Sequence, residues 1–258
     1  MEEEILAGGG VNLVVRVGST VRRPTGPWTP AVHALLDHLA AVAFRGAPKA
    51  HGVDVHGREV LDFVPGQVGA EPLPGREGDA RLRAMGRLLR AFHEATAGFR
   101  PPADAVWYFP SREPAEVVCH GDVAPYNTVF REGVPVALID FDTAHPGPRI
   151  WDVAYAAYRF VPLTVAPGAG AVRVAEQARR LGLFADAYEL AAEDRAVLVG
   201  TAIARLEHLI AHMKEQAAAG NSAFAAHLDA GHHVQYRDDA EHLARHADEL
   251  NRALEVPS

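Results

Sequence analysis

His120-Gly121-Asp122-Val123-Ala124-Pro125-Tyr126-Asn127, followed closely by Leu138-Ile139-Asp140-Phe141-Asp142, decides how the rest of the chain is read. Between these two runs, residues 128–131 and 136–139 alternate like short strands about a turn at Glu132-Gly133-Val134. In an antiparallel hairpin the start of one strand lies roughly 5 Å from the end of the other. Pro135 donates no ladder bond and leaves the register open, yet either register sets Asn127 near Asp140. An amide oxygen and a carboxylate meeting there suit a hard, oxygen-seeking cation such as Mg2+. Asp122, one loop earlier, is near enough to orient a hydroxyl proton. Phosphoryl transfer needs this set, because its loose transition state rewards positioning and charge neutralisation over a strong base.

Upstream, the chain reads as strands broken by glycine. Gly8-Gly9-Gly10 precedes a strand over 11–17, Gly18-Ser19 is a turn, and Thr20-Val21-Arg22-Arg23 is a second strand ended by Pro24. Thr29 is a good cap and Pro30 a good first residue for a helix whose face is Val32, Leu35, Leu36, Leu39 and Val42. Two further strands flank His56-Gly57, and Pro65-Gly66 closes the segment. Residues 67–78, dense in proline and glycine, read as a linker. Beyond it Leu82, Met85, Leu88, Leu89 and Phe92 mark a helix ending near Gly98, and residues 194–219 and 235–254 mark two more. The expected architecture is α+β, with a β-rich lobe over residues 1–66 and a larger helical lobe over 67–258 that carries the hairpin.

HGDVAPYN followed by IDFD resembles the aminoglycoside phosphotransferase and choline kinase superfamily, whose fold resembles that of protein kinases. Gly8-Gly9-Gly10 with Asn12 looks like that family's nucleotide-covering hairpin. Asp62-Phe63-Val64-Pro65-Gly66 resembles the interlobe hinge whose backbone meets the adenine. The run at 146–154, PGPRIWDVA, looks like the segment where an aspartate, here Asp152, braces the catalytic loop. The resemblance implies a two-lobe, protein-kinase-like fold and transfer of a γ-phosphate from ATP or GTP to a small alcohol. It implies Asp122 as the hydroxyl-orienting base, Asn127 and Asp140 as metal ligands for Mg2+, and Gly9, Gly10, Asp62 and Val64 around the nucleotide.

One departure concerns the phosphates. Kinase-like folds set a lysine on the third strand, paired with a helix glutamate, but the only lysines here are Lys49 and Lys214, neither in a suitable strand. Arg22, following Val21, is the candidate replacement, with Arg23 the alternative on the opposite face. His33 stands where the helix glutamate would be, and a histidine does not replace that ion pair. This keeps open a catalytically silent nucleotide-binding pseudokinase.

Composition narrows the remaining classes. The chain has 258 residues, 48% hydrophobic and 22% charged, with a formal net charge of -8 and no basic stripe of the kind a nucleic-acid binder shows. Its lone Cys119, in an apolar run, reads as a buried small side chain in a reducing compartment. Met1-Glu2-Glu3-Glu4 has the wrong charge for a signal peptide and no apolar run is expected to reach membrane-spanning length, so a cytoplasmic protein is expected. Only about four residues separate Asp142 from Gly147, too few for the activation loop of a protein kinase. The acceptor is expected among aminoglycoside-like amines and sugar, homoserine-like or choline-like alcohols. Glu207, Glu215, Asp229, Asp238, Asp239 and Glu241 form either a wall for a cationic substrate or ordinary solvent-facing charge. Histidines at i, i+4 spacing, His208 with His212 and His242 with His246, lack an evident third zinc ligand and read as helix faces.

Overall fold

Tight turns between alternating strands build the first sheet of the computed structural model, which describes residues 3–6, 14–69, 75–165 and 173–255. The strands are β1 (Glu4–Ile5), β2 (Val15–Val17), β3 (Thr20–Pro24), β4 (Ala50–Val53) and β5 (Arg58–Asp62), and α1 (Thr29–Ala41) lies between β3 and β4 in the chain. They form an antiparallel sheet in the order β1-β2-β3-β5-β4. Asp54 Oδ1 accepts the N–H groups of His56 and Arg58, both at 2.9 Å, which closes the β4–β5 turn. Because β3 skips α1 and β4 to pair with β5, Arg23 stands opposite Glu59 and Arg22 opposite Val60.

Helix α1 starts at Thr29 itself, with Trp28 in the cap position and Pro30 in the first turn. Ala31, Val32, Leu35, Leu36 and Leu39 are buried, and each large side chain contributes about 1.5–3 kcal/mol relative to exposure.

Residues 67–78 are not a linker throughout. Gln67–Val68 form β6, which pairs with the catalytic hairpin, and α2 (Gly75–Thr96) has begun by Gly75. Gly66 makes this possible: with φ at +151°, a Cβ there would meet Val129 Cγ1 at 2.4 Å and the Phe130 carbonyl oxygen at 2.6 Å.

Strand β7 (Val117–Cys119) then leads through a 3-10 turn, Pro125–Asn127, into β8 (Thr128–Arg131), β9 (Val134–Leu138) and β10 (His145–Gly147), followed by α3 (Arg149–Phe160). The β8–β9 turn needs only Glu132 and Gly133, whose φ values of 50° and 76° are those of a twist-matched hairpin turn. A register shift between Val129 and Phe130 makes Val136 an extra residue and lets Pro135, which has no N–H, sit in the strand.

The remaining helices are α4 (Val174–Tyr188), α5 (Ala192–Ala218), α6 (Ser222–Asp229), α7 (His232–Arg245) and α8 (Ala247–Glu255). The helix expected over 235–254 is thus two helices parted at His246, a break that no glycine or proline announces. By length and composition α5 could cross a membrane, which the sequence reading overlooked. Here it packs on α6, α7 and α8 with Leu198, Val199, Ala202, Leu206 and Met213 buried. Packing divides the chain into two compact units, Met1–Glu71 with Leu88–Asp152, and Pro72–Arg87 with Val153–Ser258. The catalytic hairpin shares a unit with the first sheet.

Candidate active site

Asp152 organises the loop that carries Asp122. Fully buried, it accepts the backbone N–H of His120 at 2.6 Å and of Gly121 at 2.9 Å, and the Nε2–H of His93 at 3.2 Å. Burial works to raise the Asp152 carboxyl, but the His93 hydrogen bond, the nearby imidazoles and the Gly121 N–H outweigh it and bring its pKa down to about 2. Burial pushes the His93 imidazole below its ordinary value despite the carboxylate beside it. Gly121, at φ +84°, lets the chain turn here, since a Cβ would fall 2.3 Å from the Thr143 carbonyl oxygen.

His120 is a tie between two loops. Its Nε2–H donates to the Ile139 carbonyl at 3.0 Å, while its Nδ1 accepts the Asp122 N–H at 3.3 Å. Those partners select one neutral tautomer. The ring packs on Phe141 at 4.6 Å between centroids and lies 6.4 Å from Phe92.

Asp122 is held at both oxygens. Asn127 Nδ2 donates to Oδ2 at 2.9 Å and to the Asp122 carbonyl at 3.1 Å, and the Tyr126 hydroxyl donates to Oδ1 at 2.7 Å. The 3-10 turn sets both donors, because Tyr126 and Asn127 reach back across it to the same carboxylate. The Ile139 N–H donates to the Asn127 carbonyl at 2.9 Å, so Asp140 follows directly beside Asn127, as the hairpin argument required. Asp140 adopts φ +64°, a left-handed conformation that aspartate tolerates.

Asn127 and Asp140 fit a divalent cation by their donor chemistry. With its nitrogen turned to Asp122, Asn127 keeps Oδ1 for a cation, and the Asp140 side chain is 46% exposed. Two protein oxygens, with phosphates and water completing the shell, are how Mg2+ is commonly bound. Among the described residues no three His, Cys, Asp or Glu side chains converge as a closed metal cage.

The face assigned to Arg22 is corrected. Arg22 turns to Thr20 Oγ1 at 2.6 Å and to Asp54 at 3.8 Å, whereas Arg23 enters the site. Arg23 is 5% exposed and bonds Glu59 Oε2 at 2.5 Å, Asp140 Oδ1 at 2.7 Å and Asp142 Oδ1. The alternation of faces was read rightly and its phase wrongly, because the β3–β5 register puts Arg23 on the face of Glu59. Burial opposes the Arg23 charge, but the three carboxylates raise its pKa further above the ordinary value. Burial also pushes Asp142 up to about 6, against the pull of Arg23 and with the push of Asp140.

Glu59 went unread as a site residue. It is 1% exposed and joins Arg23 to His33, whose Nε2–H donates to Glu59 Oε1 at 3.0 Å. Burial works to raise Glu59, and the hydrogen bond from His33 together with the Arg23 charge lowers it overall. The carboxylate missing from the helix is thus supplied by the neighbouring strand.

Of the other expected positions, Gly9 and Gly10, with Asn12, lie outside the described residues. Asp62 accepts from His51 Nε2 at 2.7 Å and from the Lys49 N–H at 3.2 Å, and Val64 follows β5 half-buried. Asp239 leaves the acidic wall: it is fully buried and accepts from Tyr158 at 2.7 Å, Thr164 at 2.9 Å and Gln235 at 3.0 Å. His242 binds Gln177 Oε1 at 2.9 Å. Tyr108 packs edge-on against Trp28, with ring centroids 4.8 Å apart.

A family profile described as "Phosphotransferase enzyme family" matches residues 104–196, which include the whole catalytic hairpin. The trifolitoxin immunity protein of Rhizobium leguminosarum bv. trifolii is 35% identical over 228 residues, covering 84% of this chain and 86% of that protein. The chain therefore belongs to the phosphotransferase enzyme family, and its fold is the protein-kinase-like α+β fold. A choline/ethanolamine kinase family protein from Mesorhizobium loti has that fold at a TM-score of 0.60 and 17% identity, over 98% of this chain and 93% of its own. So does the amicoumacin kinase hAmiN, in complex with AMP-PNP, Ca2+ and Ami, at a TM-score of 0.63 and 12% identity over 89% and 88%.

Proposed function

We propose that the protein is a small-molecule kinase that transfers the γ-phosphate of ATP or GTP to a substrate hydroxyl. The observation that carries this is the clamped Asp122, with Asn127 and Asp140 set side by side next to it. Asp122 orients the acceptor hydroxyl and takes its proton as the oxygen attacks. Asn127 and Asp140 would hold Mg2+, which neutralises charge on the phosphates when bound. Arg23, in place of Arg22, supplies the fixed cation for the phosphates, with Glu59 and His33 holding it from behind. A pseudokinase has no need of this complete set, and the carboxylate whose absence favoured that alternative is present as Glu59.

The nucleotide side rests on the first 66 residues. The backbone of Asp62 and Val64 meets the base. The N–H groups of Asp62 and Phe63 are tied to the Lys49 and Ser19 carbonyls. The acceptor is a small alcohol, with amine-bearing toxins or antibiotics first among the classes. The immunity in the name of the rhizobial relative is of a kind that phosphorylating a toxin's hydroxyl would supply. The protein works in the cytoplasm, where nucleotide is abundant. The test is a nucleotide-consumption screen with Mg2+ over amino-alcohols, sugars and antibiotics. Consumption that depends on one hydroxyl compound supports the proposal, and Mg2+-dependent nucleotide binding with no turnover on any of them favours the pseudokinase.

A further inference from the structure

We propose that the Tyr126 hydroxyl occupies the seat on Asp122 that an acceptor hydroxyl takes, and so keeps water from acting as the acceptor. The inference rests on the kinase reading. Asp122 has two oxygens to offer, and the donors Asn127 and Tyr126 on them differ in kind. Oδ2 belongs to Asn127, an amide donor that is 6% exposed and itself tied to the Ile139 N–H through its carbonyl. Oδ1 belongs to Tyr126, which is 41% exposed. Asn127 lies in the buried part of the loop, whereas Tyr126 lies at the surface.

The chemistry of the donor is the second part of the argument. A phenol presents one O–H, and at 2.7 Å it makes with Oδ1 the bond an alcohol substrate must make to have its proton taken. In effect the chain carries its own hydroxyl at the acceptor position. A bound alcohol, held by its other contacts, displaces the phenol; a water molecule has no such contacts and competes poorly. Unguarded, water would be activated by Asp122 as an alcohol is. Its oxygen would bond to the γ-phosphorus, the bond to the β-phosphate oxygen would break, and the nucleoside diphosphate would leave with the electron pair. The water proton would pass to Asp122 and on to solvent, leaving inorganic phosphate. A site that spends long periods with nucleotide and no acceptor gains from suppressing this side reaction.

The experiment compares phosphate release from Mg2+–ATP and Mg2+–GTP, without any acceptor, in the parent, Tyr126→Phe and the Asp122→Asn/Tyr126→Phe double variant. Mg2+–nucleotide affinity is measured for each by calorimetry, and intact mass after incubation. Tyr126→Phe is expected to raise acceptor-free release about tenfold, the weight of roughly one charge-assisted hydrogen bond. Affinity should stay unchanged, and the double variant should fall back to the parent's rate or below. A merely structural tyrosine would give the opposite sign, since damage to the loop lowers every rate. Unchanged or reduced release with intact nucleotide affinity overturns the inference and leaves the kinase reading standing. The same holds for a rise that survives in the double variant. A phosphate adduct found on the parent but not on Tyr126→Phe also overturns it, because Tyr126 would then be an acceptor and not a placeholder. Failure of the parent to bind either nucleotide sinks the kinase reading and this inference with it.

Discussion

Replacing Arg23 with alanine removes the one cation that Glu59, Asp140 and Asp142 share. Glu59 is 1% exposed and, among the described residues, would keep His33 alone as a partner. Stranding a buried charge in this way costs about 3–5 kcal/mol. Arg22→Ala should cost only about 1 kcal/mol, because it loses a hydrogen bond to Thr20 and a loose pair with Asp54 at 3.8 Å. Urea unfolding of the two alanine variants separates these values. A third variant, Arg23→Ala with Glu59→Gln, neutralises the stranded carboxylate and should recover about 2–3 kcal/mol as a coupling between the two sites. If Arg22→Ala and Arg23→Ala destabilise equally, or the cycle shows no coupling, the buried network does not hold β3, β5 and the Asp140 loop together. The phosphate role given to Arg23 would then lose its structural basis.

Asp140→Ala should abolish the Mg2+-dependent part of nucleotide affinity, read by calorimetry with and without the metal; an unchanged metal dependence would move the metal site elsewhere. Acid should unfold the protein in two stages. The folded pKa of His93 lies below the unfolded value, so the unfolded chain takes up that proton first and stability starts to fall as pH drops through about 6.5. Asp152, held down to about 2, adds a loss of about 2 kcal/mol as pH falls from about 4 toward that value. Urea melts at stepped pH should show both stages, and His93→Gln should reduce the first, the rest of which His212, His232 and His242 share; a first stage unchanged in that variant would assign it to other groups.

What could be read from the sequence was what is local in the chain. The hairpin from Thr128 to Leu138 is contiguous, its turn residues are adjacent, and the meeting of Asn127 with Asp140 follows from antiparallel pairing in either register. Arg23 and Glu59 meet only because β3 pairs with β5 across α1 and β4, and nothing near Arg22 or Arg23 in sequence encodes that choice. Glu59 carried a faint signal, a carboxylate in an apolar strand beside Val60 and Leu61, which is where a buried partner is to be sought. Tyr126 lay inside the decisive motif and was passed over, because its role depends on a hydroxyl reaching back across one turn. The parting of α7 from α8 at His246 has no glycine or proline to mark it, so apolar spacing ran straight through.

The measurement nearest the central claim is turnover of Asp122→Asn beside the parent, on whichever acceptor the screen identifies, with Mg2+–nucleotide affinity measured on the same samples. Asparagine keeps the shape and can still meet Asn127 and Tyr126, but it takes no proton and has lost the charge that orients the hydroxyl. Turnover should fall by at least about a hundredfold, the size of a positioned acid–base group, while nucleotide affinity is retained. Turnover within a few-fold of the parent would contradict the account, because the carboxylate that the whole hairpin is built to hold would then not be the group that does the work.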